Sequence, residues 1–575
     1  MSTISLGTYL FKRLHQEPFG LKSIFGVPGD FNLTLLDKID DVDDLTWRGN
    51  VNELNGAYAT DGYSRVRGNA KGEGLGFGAL VTTFGVGELS AINGVAGSFA
   101  EHVGMIHIVG IPSLDSQRKQ LLLHHTLGNG DFNVFSRISE NVSVTHGILD
   151  DPAHAAEVVD RVIREAYIGQ KPGYLAFPAN MVEVKVPAER LDTPIDVSIA
   201  KNDPEAQEEV LEIILDLISK AKNPVVIVDA CCARHNASAE AAKLIDVTNF
   251  KYATSPMAKG TKHINEDGDR FTGVYVGSLS YEDVKASVEE SDLVLSIGAI
   301  LSDFNTGAFS YALNKNTVEF HSDHTKIRNA YFPNVAMKEV LNKLIDSPKL
   351  KEATANYKPT GITKHPFEPI ENIEGKEITQ SWLWHRLSDF LQPDDIVITD
   401  TGTSSFGIIQ TKYPRGTLGI SQVLWGSIGY SVGSTFGAAT AAHELDPSRR
   451  VILFVGDGSL QLTVQELSAM VRNGLTPYIF VLNNSGFTIE KYINGPEADY
   501  NNIQPWNYKL LLPAFGAQNY EALTVDNASD LDKLFKDEAF AKNDKIRLIE
   551  LIIDSKDAPD NLKKQALFAS QANAG

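Results

Sequence analysis

Short apolar runs closed by turn residues alternate with stretches of helical spacing along nearly the whole chain. Met105–Val109, Val225–Val228, Leu293–Ile297, Ile396–Thr399, Val451–Val455 and Tyr478–Leu482 are each apolar, and most end at Gly, Asp, Asn or Pro. Runs of this kind predict buried strands, and their alternation with helical stretches predicts an α/β fold with parallel sheets flanked by helices. At the start, Leu6, Tyr9, Leu10 and Leu14 fall at helical spacing and lead into a strand over Leu21–Val27.

Two stretches interrupt the alternation. Residues 187–204 hold three prolines among polar residues, and residues 347–376 hold Pro359, Pro366 and Pro369 with little apolar periodicity. Both predict extended linkers. They divide the chain into domains over 1–188, 189–358 and 359–575. The first and third parts open alike. A helix over Leu6–Leu14 and a strand lead to Gly26-Val27-Pro28-Gly29-Asp30; a helix over Ser381–Leu391 and a strand lead to Asp400-Thr401-Gly402-Thr403. The echo predicts two related domains around a different middle one.

Composition narrows the function. The 575 residues fit three or four domains, and 43% hydrophobic with 22% charged residues is ordinary for a soluble globular protein. A net charge of −21 argues against nucleic acid and against an anionic membrane surface, though a small anion can still bind a locally positive pocket. No apolar run approaches the ~20 residues that span a bilayer. Lys12, Arg13 and His15 imitate a transit peptide, but the helical spacing of the leucines runs straight into the first strand, so a structural helix is expected. The last residues, Gln571 to Gly575, carry no retention or peroxisomal signal. The only cysteines, Cys231 and Cys232, are adjacent, which gives no disulfide framework and fits a reducing, cytoplasmic setting.

The densest chemistry lies in the third part. The strand Val451–Val455 runs into Gly456-Asp457-Gly458-Ser459, followed by an amphipathic helix with Leu462, Val464, Leu467 and Met470. A second strand, Tyr478–Leu482, ends in Asn483-Asn484-Ser485-Gly486. One carboxylate and one carboxamide thus stand at the carboxyl ends of two strands, where open α/β sheets bind ligands. Glycines let a phosphate approach the backbone, and oxygen side chains with phosphate and water suit octahedral Mg²⁺. A lone Gly-Asp-Gly is an ordinary turn; here Asn-Asn follows after 24 residues. In the first part, Asn52 to Arg65 reads as a helix rich in small residues with Glu53 at its start, where the helix dipole alone favours an acid. His124 and His125 are consecutive, so on a strand they would face opposite ways; both reach one site only from irregular backbone, which Leu127-Gly128-Asn129-Gly130 supports.

The Gly-Asp-Gly and Asn-Asn pair resembles the diphosphate-binding motif of thiamine-diphosphate enzymes. The runs Phe25–Phe31, Thr82–Ser90, Gln120–Phe132, Leu301–Gly307, Ile420–Gly429 and Gly456–Glu490 resemble the yeast-type pyruvate decarboxylases over nearly the whole chain. The resemblance implies thiamine diphosphate and Mg²⁺ as cofactors, with Asp457, Asn484 and the Gly486 carbonyl as metal ligands. It places Thr403, Gly426, Gly458 and Ser459 against the cofactor, Ile428 as the bulky residue that bends it, and Glu53 as the acid that exchanges a proton with its aminopyrimidine ring. It implies a proton-handling set of Asp30, His124, His125 and Glu490, with Thr401 and Ile489 at the substrate end. Cys231, otherwise a small buried hydrophobe, is linked to activation by substrate. The implied reaction is non-oxidative decarboxylation of pyruvate to acetaldehyde and CO₂, in a homotetramer built as a dimer of dimers whose sites are shared between chains. A decarboxylase of larger 2-oxo acids, such as phenylpyruvate or indolepyruvate, would share these motifs; a bulky Ile489 favours the small substrate. The pair His124-His125 argues against a carboligase. An NAD-linked enzyme lacks its Gly-x-Gly-x-x-Gly. One departure from the family is the stretch Gly68–Leu80, which is longer than usual and whose glycines predict a surface loop.

Overall fold

The computed structural model describes residues 2–70, 74–362 and 373–574. Three large sheets organise them. The first has six parallel strands in the spatial order Thr46–Gly49, Ser23–Gly26, Ala79–Thr83, Met105–Ile111, Pro172–Pro178 and Thr145–Ile148. The third has six parallel strands in the order Leu418–Ser421, Ile396–Thr399, Val451–Gly456, Tyr478–Asn483, Ile546–Ile552 and Tyr520–Val525. Numbered within each sheet along the chain, both read 2-1-3-4-6-5. The echo between the first and third parts therefore extends to whole sheets.

The middle sheet differs. Phe271–Val274, Lys251–Thr254, Pro224–Val228, Leu293–Ile297 and Thr317–Phe320 are parallel, but His324–Ile327 and Ala330–Pro333 continue the sheet antiparallel. The middle sheet is thus mixed, with five parallel strands and two antiparallel ones. Residues 321–323 and 328–329 are too few for the crossover that a parallel neighbour requires, so the chain can only fold back. A short antiparallel ribbon, Thr3–Ser5 with Lys185–Pro187, ties the start of the chain to the end of its first part.

The helix over Leu6–His15 forms as its spacing predicts, with the Ser5 hydroxyl accepting from the Thr8 N–H at 3.3 Å and Leu6, Tyr9, Leu10 and Leu14 buried. The amphipathic helix after Gly456 does not run through. It breaks into Asp457–Thr463 and Glu466–Arg472; the Thr463 hydroxyl donates to the Gly429 carbonyl at 2.7 Å at the break. Its faces change accordingly: Leu462 is 52% exposed and Glu466 is fully buried. In the linkers, Ser347 is followed by a helix over Pro348–Thr354, so extended chain begins only after it; residues 363–372, with Pro366 and Pro369, lie outside the described residues. The loop expected over Gly68–Leu80 is also shorter: residues 71–73 lie outside the described ones, but Gly76 and Gly78 are buried against the helix Glu53–Ala70. A Cβ on Gly76 would overlap the Ser64 carbonyl oxygen, and one on Gly78 would come within 2.8 Å of the Thr60 carbonyl oxygen.

The first and third sheets are joined by two helices packed backbone to backbone, Glu53–Ala70 and Tyr430–Leu445. Both are rich in small residues because nothing larger fits: a Cβ on Gly437 would overlap the Ala59 carbonyl, and one on Gly62 the Ser434 carbonyl. At the far end the Glu444 carboxylate accepts from Ser23 Oγ at 2.6 Å, Tyr63 OH at 2.7 Å and Arg67 at 3.3 Å. One hydrophobic core runs through both parts, while the middle sheet has its own.

Candidate active site

The site residues form two groups, one at the carboxyl ends of each six-stranded sheet, as ligand sites in open α/β sheets require. In the first group, Asp30 ends the turn after Ser23–Gly26. The turn is held by the Gly29 N–H donating to Asn32 Oδ1 at 2.9 Å, and Gly29 lies so close to Thr83 that a Cβ there would come within 2.5 Å of it. The Asp30 carboxylate meets His124 Nε2 at 2.7 Å. His124 stacks on Phe31 with ring centres 5.0 Å apart and planes 10° off parallel, and His125 stands edge-on to it at 4.6 Å. One ligand atom each from Asp30, His124 and His125 lies within 4.8 Å of the others. The irregular backbone expected here is present: His125 has φ +64, and its carbonyl occupies the place a Cβ on Gly85 would take. Glu53 opens the helix Glu53–Ala70 and is half-buried, its Oε1 3.1 Å from where a Gly87 Cβ would stand.

In the second group, Asp457 opens the helix after Val451–Gly456. Its Oδ1 accepts from the Gly458 N–H at 2.8 Å and its Oδ2 from the Gly486 N–H at 3.2 Å, and burial pushes its carboxyl up to about 6. Asn484 lies beside it. Its nitrogen faces Thr488 Oγ1 at 2.8 Å; its oxygen faces the Gly486 carbonyl at 3.0 Å and Asp457 Oδ1 at 3.1 Å. Three acceptor oxygens thus converge with no hydrogen among them. Rotating the amide half a turn would put two N–H groups between them, which local hydrogen bonding alone favours. A cation favours the orientation found. Mg²⁺ holds oxygens at about 2.0–2.1 Å in an octahedron, whose adjacent corners are therefore about 3 Å apart, the spacing observed. The donor set fits that ion: one carboxylate, one amide oxygen and one carbonyl, all hard oxygens.

Around this cage, Gly486 at φ +124 passes so close to Asn501 that a Cβ would overlap its carbonyl oxygen, which explains the glycine. Glu490 is exposed in the helix Thr488–Ile493, and Ile489 is half-buried against an apolar cluster that includes Val276, Leu279, Phe406 and Leu562. Thr401 faces Gly426, and Thr403 and Ser459 are buried. Ile428 is half-buried and outside every hydrophobic core, so it is not a packing isoleucine.

Sequence reading missed the groups that hold these loops. Asp400 is buried and accepts from the N–H groups of Gly429 and Ser431 and from the Ser431 hydroxyl at 2.6 Å, fixing the chain just after Ile428. Glu101 of the first part accepts from the N–H groups of Leu424 and Trp425 at 2.7 and 3.2 Å. The buried Glu466 accepts from Asn50 Nδ2 at 2.5 Å. Each is a carboxylate whose partners lie far off in sequence, so no spacing announces it. Cys231, in the short helix Ala230–Arg234, is 6% exposed, and burial pushes its thiol up to about 12.

Comparisons with known proteins agree with this layout. Residues 4–133 match the thiamine pyrophosphate enzyme N-terminal TPP binding domain, 211–346 the central domain and 400–551 the C-terminal TPP binding domain. The chain is 56% identical over 575 residues to a pyruvate decarboxylase of Kluyveromyces marxianus and 54% identical over 575 residues to pyruvate decarboxylase isozyme 1 of Saccharomyces cerevisiae. It is 54% identical over 576 residues to a pyruvate decarboxylase of Candida albicans; all three alignments cover 100% of both chains. With two matching sheets, an oxygen cage at one and a carboxylate–imidazole cluster at the other, the chain belongs to the thiamine pyrophosphate enzymes, within their pyruvate decarboxylase family.

Proposed function

We propose that this chain decarboxylates pyruvate to acetaldehyde and CO₂ with thiamine diphosphate and Mg²⁺. The observation that carries the proposal is the cage of Asp457, Asn484 and Gly486 oxygens, set in a chain that also clusters Asp30, His124 and His125. Asp457, Asn484 and the Gly486 carbonyl would hold the Mg²⁺. Thr403, Gly426, Gly458 and Ser459 would face the cofactor, and Ile428 would press against it. When bound, thiamine diphosphate supplies the carbon nucleophile and the electron sink that let the carbon–carbon bond break. Glu53 would hold the proton at the aminopyrimidine ring. Pyruvate plus one proton becomes acetaldehyde plus CO₂; Asp30, His124, His125 and Glu490 would hold and deliver that proton. Thr401 and Ile489 would bound the substrate end, and Cys231 would carry activation by substrate.

We further propose that two chains share each site, in a tetramer of two dimers. No hydrogen bond or ion pair among the described residues joins Asp30, Glu53 or His124 to Asp457, Asn484 or Glu490. Large apolar side chains beside both groups are left bare: Leu33, Val51, Val86, Leu122 and Leu127 near the first, Leu424, Trp425 and Leu462 near the second. Exposed apolar residues gathered around functional groups favour cover by another protein surface. Among the described residues no helix is long and apolar enough to cross a membrane.

Removing metal and cofactor at mildly alkaline pH should abolish acetaldehyde release from pyruvate, and restoring both should recover it. Full turnover in verified apo-protein would overturn the proposal.

A further inference from the structure

Glu88 is a buried acid that the proposed reaction leaves unused. It lies in the first turn of the helix Val86–Ala100 and is 1% exposed. Its Oε1 accepts from the Gly85 N–H at 2.9 Å, and its Oε2 accepts from the hydroxyl of Tyr174, in the strand Pro172–Pro178, also at 2.9 Å. Among the described residues no ion pair offsets its burial, which pushes the carboxyl up to about 7. A glutamate that reaches back to the residue before its helix is an ordinary cap. Burying an acid without a cation beside it is costly, so capping alone does not account for its place.

The turn that Glu88 ties lies against both histidines. Gly85 stands at φ +66, and the His125 carbonyl fills the space where its Cβ would go. Phe84, just before it, meets Phe31 edge-on with ring centres 6.2 Å apart, and Phe31 stacks on His124. Phe135 closes the other side, its ring centre 5.0 Å from that of Phe84. The Gly85 carbonyl accepts from the Leu89 N–H at 2.9 Å, so the helix holds one end of this residue; its N–H goes to Glu88.

We propose that Glu88 is a positioning residue for the decarboxylation: by tying the Gly85 N–H it holds the turn against which His124 and His125 are set. The inference rests on the reaction proposed above. Loosening the turn frees the His125 carbonyl and, through Phe84 and Phe31, the His124 ring, while Asp457, Asn484 and Gly486 stand at the third sheet. Misplacing a reacting group by about 1 Å can cost about a hundredfold in rate.

Glu88→Ala would open a cavity and strand the Tyr174 hydroxyl, so the test uses variants that keep the bulk. Glu88→Gln keeps an oxygen for Gly85, and its amide can donate to the Tyr174 hydroxyl, which accepts as well as donates. Glu88→Met combined with Tyr174→Phe removes both partners of the inner bond and leaves the Gly85 N–H untied. Tyr174→Phe alone keeps the tie. Holoenzyme of each is assayed with pyruvate, with kcat expressed per retained thiamine diphosphate, so that a smaller share of folded sites cannot imitate slower chemistry. Glu88→Gln and Tyr174→Phe should stay within about threefold of wild type, whereas the double variant should lose about tenfold to a hundredfold in kcat with KM within about threefold. Its ratio of kcat in H₂O to kcat in D₂O should rise, because proton delivery becomes the slower step. Equal kcat in Glu88→Gln and the double variant, a loss in Tyr174→Phe as large as in the double variant, or an unchanged isotope ratio beside a lower kcat would each overturn the inference. Wild type that releases no acetaldehyde would instead refute the reaction itself, and the inference with it.

Discussion

Replacing Asn484 by Ala separates a metal cage from a plain hydrogen-bonded turn. In the orientation found, the amide gains no hydrogen bond from these neighbours: its nitrogen faces the Thr488 hydroxyl, itself a donor, and its oxygen faces two other acceptors. Removing it from apo-protein should then cost less than the roughly 1 kcal/mol of a single hydrogen bond. In the rotated orientation the same change would remove bonds to Gly486, Thr488 and the Asp457 carboxylate, for a sum of roughly 3–5 kcal/mol, because the bond to a charged acceptor alone is worth about 1.5–3. Holoenzyme should respond oppositely. Ligand at a hundredfold over its Kd stabilises by about 2.7 kcal/mol, and each tenfold loss of affinity takes back about 1.4 kcal/mol. Deleting one of three protein oxygens should weaken the metal by at least the tenfold to hundredfold, roughly, that changes in outer contacts bring. The assay is the thermal midpoint of wild type and Asn484→Ala, each as apo-protein and with saturating Mg²⁺ and thiamine diphosphate, all at one scan rate because unfolding of so large a chain is rate-governed. The gap between holo and apo midpoints should shrink in the variant while the apo midpoint barely moves. An equal fall in both states would refute the cage.

Ile489→Ala should raise turnover of phenylpyruvate relative to pyruvate, read as the ratio of kcat/KM values; an unchanged ratio would move Ile489 away from the substrate. Burial pushes Glu466 up from 4.5 to about 7. The folded state therefore holds this proton more tightly, and the stability it brings is present below about pH 4.5 and lost as pH rises through about 7, an effect of order 3 kcal/mol. Glu466→Gln, which keeps an oxygen for Asn50, should gain on wild type in thermal midpoint between pH 5 and pH 8; a constant offset would contradict this. Glu53→Gln and Asp457→Asn should each be inactive, yet mixed dimers isolated through two different tags should regain up to about one of the two sites. An intact but inactive mixed dimer would count against sites shared between chains.

What the sequence reveals follows from burial. The strands Met105–Ile111, Val451–Gly456 and Tyr478–Asn483 are buried along almost their whole length, so they read as mainly apolar runs, and the expected bounds lie within two residues of the observed ones. The strands Thr317–Phe320 and His324–Ile327 alternate buried and half-buried positions over four residues, too short a run for the alternation to stand out. The helix break after Thr463 leaves no local signal, and the bond Thr463 makes there, to the Gly429 carbonyl, spans 34 residues. The irregular backbone at His124 and His125 is legible from the run Leu127-Gly128-Asn129-Gly130 and from the implied sharing of one site, since neighbours on a strand cannot share a face. Asp400 and Glu101 were not legible, because a buried acid that holds remote backbone N–H groups leaves no periodic trace. Cys231 showed as a cysteine after a strand, but nothing in the sequence places it beside His102.

The two groups of site residues divide the chemistry along the line that divides the sheets. Both sheets share one strand order and present the same edge, yet the first puts acids and imidazoles there and the third puts oxygens fit for a hard cation. Proton handling needs groups that change charge near neutral pH, which imidazole does and an amide or carbonyl oxygen does not. Holding a divalent ion needs oxygens fixed at one spacing, which the close passage of Gly486 against Asn501 enforces. A helix pair packed through glycines holds the two sheets against each other. Changes at Asp30 or His124 should accordingly alter the pH profile of turnover and leave metal-linked stability untouched, while changes at Asn484 should do the reverse. Finding metal-linked stability lost in His124→Ala would break that division.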